Sequence, residues 1–331
     1  MTGPMATTAT TLGYWVDAPG RGRVRATQLP PLGPEDVALV GHCTGVSPGT
    51  ERLVGTGRVP ARAAATMAVP GMQGTFALPV LYGYSFVGHV EAGPERGRRA
   101  FTMHPHTQRA HVPAAACTWL PAAIPDARAT LFPNVETALN AVWDAELAGD
   151  EPVLVLGAGV VGSLVAFVLA CSHRGDVVVA DRDPERIATA GRLPWIRQTA
   201  APEVVADGRF GVVFHATGSG DGLQTAIDAC RFEGRVVDLS WYGDRPVSLR
   251  LGEAFHWHRL RLLGTQVGTV ARSQRAAGRA ARTAAVLTLL ADARLDALLA
   301  APIPLADAPE LFAALYRGSA TPLSPVIEQS P

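Results

Sequence analysis

The 331-residue chain contains no lysine; all 29 of its basic side chains are arginine. Schiff-base chemistry and a phosphate-binding loop built around a lysine are therefore both excluded. Cysteine is scarce as well. Cys43, Cys117, Cys171 and Cys230 include no Cys-x-x-Cys pair, which argues against a disulfide framework and against a cysteine zinc cluster. They read as reduced, mostly buried thiols of a cytoplasmic protein. Excess charge of either sign is missing too: 29 acidic residues balance the 29 arginines. A nucleic-acid partner is not expected, because a polyanion binder carries a basic surplus. No apolar run reaches the roughly 20 residues of a membrane span. The opening MTGPMATTATTLGYW lacks the basic start and apolar core of an export signal. The expectation is a soluble protein that handles a small molecule.

What is present is a globular composition, 48% hydrophobic and 18% charged, in a chain long enough for two domains. The first third is rich in glycine and proline around short runs such as DVALVGHC, LPVLYGYSFVGHVEA and RRAFTMH, which read as strands divided by turns. From about Ala127 the pattern alternates: a helical ATLFPNVETALNAVWDAEL, then strand candidates at EPVLVLG, DVVVAD, FGVVFHAT, GRVVDLS and RLLGTQV with helical stretches between several of them. Apolar strands separated by helices are the mark of an α/β, doubly wound parallel sheet. The expected plan is a β-rich domain over residues 1–126 and 269–331, with a Rossmann domain inserted over residues 127–268.

Gly157-Ala158-Gly159-Val160-Val161-Gly162 is a GxGxxG run between the strand VLVL and an apolar helix. Gly157 permits the tight turn, Gly159 lets a pyrophosphate approach the backbone, and Gly162 lets the helix pack on the strand. The pyrophosphate then lies at the positive helix end opened by Val160 and Val161. Asp181 closes the next strand, about 20 residues on, where a carboxylate accepts ribose hydroxyls. A carboxylate also repels a 2′-phosphate, so NAD is expected. Arg182 beside it and Arg186 one helical turn on suit that phosphate, so NADP stays open.

The arrangement of β-rich and Rossmann segments resembles the medium-chain dehydrogenase/reductase superfamily. GHCTGVSPGTE is similar to that family's first active-site strand and loop, VLYGYSFVGHVEAG to its GHE-type segment, and ATLFPNVETALNAV to the helix bearing the third metal ligand. GTQVG is similar to the strand lining the nicotinamide. The β-rich part is then GroES-like. The resemblance places Ser47, Tyr84 with Ser85, and Pro133 at the catalytic zinc-ligand positions. None is a good zinc ligand, and the segment from Arg96 to Thr107 lacks the cysteines of a structural zinc lobe. TGVSPGTERL, GRVP, SWYGDRPVSL and AFH resemble a zinc-free branch related to bacteriochlorophyllide dehydrogenase. Homodimerisation, often through edge strands of the Rossmann sheet, is a further family expectation.

Without zinc, hydrogen-bond donors must stabilise charge on the substrate oxygen. Tyr84 either donates to that oxygen or fills the vacated volume. Ser47 and Thr50 are neighbouring hydroxyls, Thr50 near the family's relay position, and Glu51 is expected to pair with an arginine. Asn134 and Glu136 open the helix facing the cleft as candidate substrate contacts, Glu136 being alternatively a first-turn acid. The resemblance assigns Thr137, Gln266 and Val267 to the nicotinamide and sets Trp241 and Tyr242 over it, as a pocket wall or as core. His104 and His106 form a His-x-His pair that reads as a relay, as metal ligands or as backbone-satisfying rings, with His106 a pocket candidate. Arg272, Arg275, Arg279 and Arg282 recur at helical spacing and read first as a solvated face. The expected activity is metal-free hydride transfer between NAD(P) and a secondary alcohol or ketone. The alternatives are an enoyl or quinone reductase and a non-catalytic NAD(P)-binding protein.

Overall fold

The chain forms two units, one made of the described residues up to Pro133 together with those from Leu299 onward, the other of Asn134–Leu298. The computed structural model describes residues 9–319 and 321–329; the first eight positions, on which the export-signal reading partly rests, lie outside them. The crossing falls inside helix α4 (Phe132–Asp144). The return falls about thirty residues later than the sequence suggests, at Leu299 rather than 269. The reason is helix α8 (Gly278–Leu290), which is bonded to α4: the Arg282 guanidinium donates to Glu136 and Asn140. The expected four-arginine face is corrected by the same helix. Gly278 adopts φ +77, so Arg272 and Arg275 precede the helix, and Arg282 is 3% exposed rather than solvated.

The first unit begins with a hairpin of β1 (Thr10–Ala18) and β2 (Arg21–Gln28), extended by β5 (Val80–Leu81) and β4 (Gln73–Gly74) in the order β2-β1-β5-β4. A second sheet is built on β3 (Asp36–Gly45), which pairs antiparallel with β6 (Phe86–Ala92), β8 (Arg109–Pro113) and β17 (Val326–Glu328). β7 (Arg99–Thr102) and β9 (Thr118–Trp119) continue it beyond β6, and β16 (Ile303–Pro304) flanks β17. Helix α1 (Pro48–Gly55) starts after extended Ser47 with proline in its first turn and Glu51 near its positive end. The short α2 (Ala64–Met67) and α3 (Asp126–Ala129) follow, and α9 (Ala308–Arg317) ends at a left-handed Gly318. Phe312 of α9 stacks on Tyr14 of β1 at 4.1 Å, in a core with Val16, Leu53, Val80 and Ile327.

The second unit is a six-stranded, wholly parallel sheet. Its strands are β10 (Val153–Leu156), β11 (Val177–Ala180), β12 (Gln198–Ala200), β13 (Phe210–His215), β14 (Cys230–Asp238) and β15 (Arg261–Gly264). The order β12-β11-β10-β13-β14-β15 reverses direction beside β10. Central strands of such a sheet are covered on both faces, and every residue of β10 and β13 is buried. Helices α5 (Val160–Ser172), α6 (Pro184–Ala190) and α7 (Gly220–Asp228) connect the strands. α5 is apolar all round and buries Val160 and every residue from Gly162 to Leu169, so propensity and burial agree. β15 stops at Gly264, shorter than the apolar run suggests, leaving Gln266 and Val267 beyond the strand.

Candidate functional site

In a parallel sheet with this order, ligands bind beyond the carboxyl ends of the strands where the order reverses, which is at β10 and β13. The glycine loop sits there. Gly157 has φ +115, and a methyl on it would lie 2.8 Å from the Ala216 carbonyl carbon, so only glycine fits. Gly162 is pressed against the loop itself; a methyl there would lie 1.8 Å from the Gly157 oxygen. Gly159 is the extended cap of α5, and Val160 and Val161 open its first turn. Four N–H groups at that end have no partner within the helix, which makes it a ready receptor for a pyrophosphate.

Asp181 lies one residue past β11 with both carboxylate oxygens held. One accepts the Ala158 N–H at 2.8 Å, the other the Asp183 N–H at 3.0 Å. The carboxylate is thus fixed to the glycine loop with further lone pairs open. A cleft of about 340 Å³ adjoins it, lined by Asp181, Arg182, Ile187, Thr199, Pro202 and Glu203. Arg182 is exposed, and the Arg186 guanidinium passes 3.2 Å from where a Gly159 side chain would start. Loop, acid and cleft together fit the adenosine and pyrophosphate of a dinucleotide. The remaining residues expected at the cofactor are spread more widely. Thr137 is half-buried on α4, Val267 is half-buried, and the Gln266 side chain is turned back onto the Gly268 N–H at 2.6 Å.

On the other side of the glycine loop is a polar network the sequence reading missed. His215 ends β13 and is wholly buried; Asp238 ends β14, its neighbour. Asp238 accepts from His215 Nδ1 at 2.9 Å, from the Tyr242 phenol at 2.9 Å and from the Ser240 N–H at 3.0 Å. Burial alone would raise this carboxyl, but those donors outweigh it and hold it below the usual range. Tyr242 is therefore bound into the network rather than a free pocket wall, and Trp241 beside it is 42% exposed, not core. A histidine and an aspartate closing adjacent apolar strands were the available signal.

The first unit gathers the hydroxyls. Ser47 is buried at the head of α1, Thr50 lies one turn in, and the Tyr84 phenol reaches Thr50 Oγ1 at 3.4 Å. Burial, reinforced by the nearby Glu51 charge, pushes that phenol up to about 12 despite bonds to Ser47 and Thr50. Ser85 is turned away, donating to the Thr130 carbonyl at 2.7 Å.

Glu51 corrects one expectation and His106 another. Among the described residues Glu51 pairs with no arginine; its carboxylate accepts from His106 Nε2 at 3.0 Å. His106 is 0% exposed, its Nδ1 accepting from the Thr44 hydroxyl at 2.8 Å, so it lies in the core rather than on a pocket wall. Gln329 completes the line by donating to Thr44 at 2.9 Å. His104 is also buried, and burial lowers it to about 4. Among the described residues, no three or more His, Cys, Asp or Glu side chains converge as a metal site. In the second unit Asn134 is buried at the start of α4, and Glu136 is taken up by Arg282 at 3.0 Å. A larger surface hollow of about 590 Å³, bounded by Glu233, Phe255, His256 and Arg259, contains neither the glycine loop nor the hydroxyl cluster.

No family model matches the chain. Among curated proteins it resembles the L-threonine 3-dehydrogenase of Chelativorans sp. (strain BNC1), at 29% identity over 130 residues, 36% of this chain and 37% of that protein. The L-threonine 3-dehydrogenase of Mesorhizobium japonicum (strain LMG 29417 / CECT 9101 / MAFF 303099) matches at 35% over 74 residues, 22% of this chain and 21% of that protein. The chain thus spans well under half the length of these curated relatives. Solved structures match over nearly the whole chain. L-idonate 5-dehydrogenase from Escherichia coli K-12 superposes with a TM-score of 0.78 at 14% identity, covering 97% of this chain and 99% of that one. 2R,3R-butanediol dehydrogenase from Bacillus subtilis gives 0.76 at 18% identity, with the same coverage. An alcohol dehydrogenase from Escherichia coli CFT073 complexed with NADH gives 0.77 at 15%, covering 96% and 99%. At these identities the likeness establishes the fold alone, the one these three dehydrogenases share.

Proposed function

We propose that the chain is a nicotinamide-dependent oxidoreductase that moves a hydride between its cofactor and a secondary alcohol or ketone. The observation that carries this reading is the Gly157–Gly162 loop at the sheet's reversal point with Asp181 locked onto it. The L-threonine 3-dehydrogenase relatives and the alcohol and polyol dehydrogenases of the same fold support it. The Asp181 charge favours NAD over NADP.

When bound, the nicotinamide supplies the hydride donor or acceptor. The chain's own residues handle the substrate oxygen. In the oxidising direction the carbinol carbon loses a hydride and the hydroxyl a proton; in the reducing direction both are regained. Tyr84, protonated throughout the neutral range, donates a hydrogen bond to the oxygen and stabilises charge on it, with Thr50 and Ser47 holding the phenol. The donor set supports a metal-free reaction: serine, tyrosine and proline stand at the positions the resemblance gives to zinc ligands, and none suits the ion. The exposed edge strand β15, with Leu262 at 39% and nearby Trp257 at 67%, supports pairing of two copies, to be checked by light scattering.

The test is a fluorescence titration with NADH and with NADPH, followed by turnover on a ketone panel beside an enone panel. Saturable NADH binding and ketone turnover are expected. Turnover of enones alone would replace the reading with a C=C reductase; binding without any turnover would replace it with a non-catalytic binder.

A further inference from the structure

We propose that the Thr217 hydroxyl receives a ribose hydroxyl of the second nucleoside of the dinucleotide, its polarity fixed by the buried His215–Asp238 pair beneath it. The proposal rests on the cofactor reading above.

Placement comes first. Asp181 follows β11, Gly157 follows β10 and Thr217 follows β13, so the acid and the hydroxyl flank the glycine loop on opposite sides. The loops touch: a methyl on Gly157 would lie 2.8 Å from the Ala216 carbonyl carbon and 3.2 Å from the Thr217 nitrogen. A dinucleotide spans such a reversal point with its pyrophosphate at the glycine loop. With one ribose against Asp181, the other falls on the Thr217 side.

Polarity comes second. Asp238 is ionised and takes three donors, among them His215 Nδ1–H. The other ring nitrogen, Nε2, then accepts, and the Thr217 hydroxyl donates its proton to it at 2.6 Å. The Thr217 oxygen has two acceptor lone pairs, and the Ser219 N–H fills one at 3.2 Å. One remains, on an exposed residue, and only a donor can use it. A ribose hydroxyl is such a donor; a phosphate oxygen is not. His215 and Asp238 are positioning residues, and Tyr242 and Ser240 hold the aspartate.

The test compares ADP, ADP-ribose and NADH binding to the full-length protein and its variants. ADP lacks the second ribose. Thr217→Val is expected to weaken ADP-ribose and NADH about tenfold while leaving ADP unchanged, and Thr217→Ser to restore both. Asp238→Asn is expected to give a smaller loss with the same split. Equal loss for all three ligands would mean a disturbed loop, and no loss for any would mean no contact; either overturns the proposal while the cofactor reading stands. If the unaltered protein binds none of the three, the cofactor reading falls and this proposal with it.

Discussion

Glu136 and Arg282 are 146 positions apart in the chain, yet two nitrogens of one guanidinium meet a single carboxylate oxygen at 3.0 Å. The third nitrogen reaches Asn140 at 2.9 Å, so one arginine ties α8 to α4 twice over. Burial raises the Glu136 carboxyl above its ordinary range, with Arg282 opposing. Arg282→Met removes the opposing charge and leaves a mostly buried carboxylate unpaired. Urea unfolding should show a loss of about 3 kcal/mol, and a loss below about 1 kcal/mol would show the pair to be incidental. The folded state holds this proton more tightly than the unfolded one. Its contribution is therefore full below the ordinary carboxyl pKa and lost as pH rises through the raised value, more steeply in the variant.

Asp181→Asn keeps acceptor capacity at the glycine loop but removes the charge that repels a 2′-phosphate. The ratio of NADPH to NADH affinity is expected to rise at least about tenfold. An unchanged ratio in paired titrations would show that this charge does not set the preference, and would shift attention to Arg182 and Arg186.

Tyr84→Phe should lower kcat about a hundredfold on a responsive ketone and leave the Kd for NADH as it was. Near-normal turnover would reduce Tyr84 to a space-filling role. Because the phenol stays protonated up to about 12, the rate profile across neutral pH carries no inflection from it.

Glu151 and Arg235 offer a test at acid pH. Burial would raise the Glu151 carboxyl, but the Ala148 N–H at 2.9 Å and the Arg235 guanidinium at 2.6 Å outweigh it, so it lies below its ordinary range. Its contribution is present above the ordinary carboxyl pKa and is lost as pH falls through the lowered value. Glu151→Gln should lower Tm at pH 7 and flatten the fall of Tm on acidification. Parallel Tm profiles for the two proteins would rule out this assignment.

The parallel sheet and the glycine loop were legible because their signals are local: apolar runs buried on both faces, and glycines whose backbone no other residue can copy. The relationships that failed to show are long-range ones. Nothing near His106 announces Glu51, 55 positions earlier, so a His-x-His pair that reads as a relay, as metal ligands or as backbone-satisfying rings gives no sign of this buried bond. The arginines from Arg272 to Arg282 keep helical spacing, but the left-handed Gly278 interrupts the helix between them, and spacing alone does not reveal which face meets α4. His215 and Asp238 were visible as residues and became a network only once β13 and β14 were known to be neighbours.

The pairing of Val326 with Gly45 orders the events of biosynthesis. Asn134–Leu298 is one uninterrupted stretch, and every contact within that unit is available before the last strand has been made. The unit around it cannot close until β17 emerges and finds β3, after a detour through the whole inserted sheet. During synthesis the inserted unit can therefore fold while the Gly45 end of β3 still lacks its β17 partner.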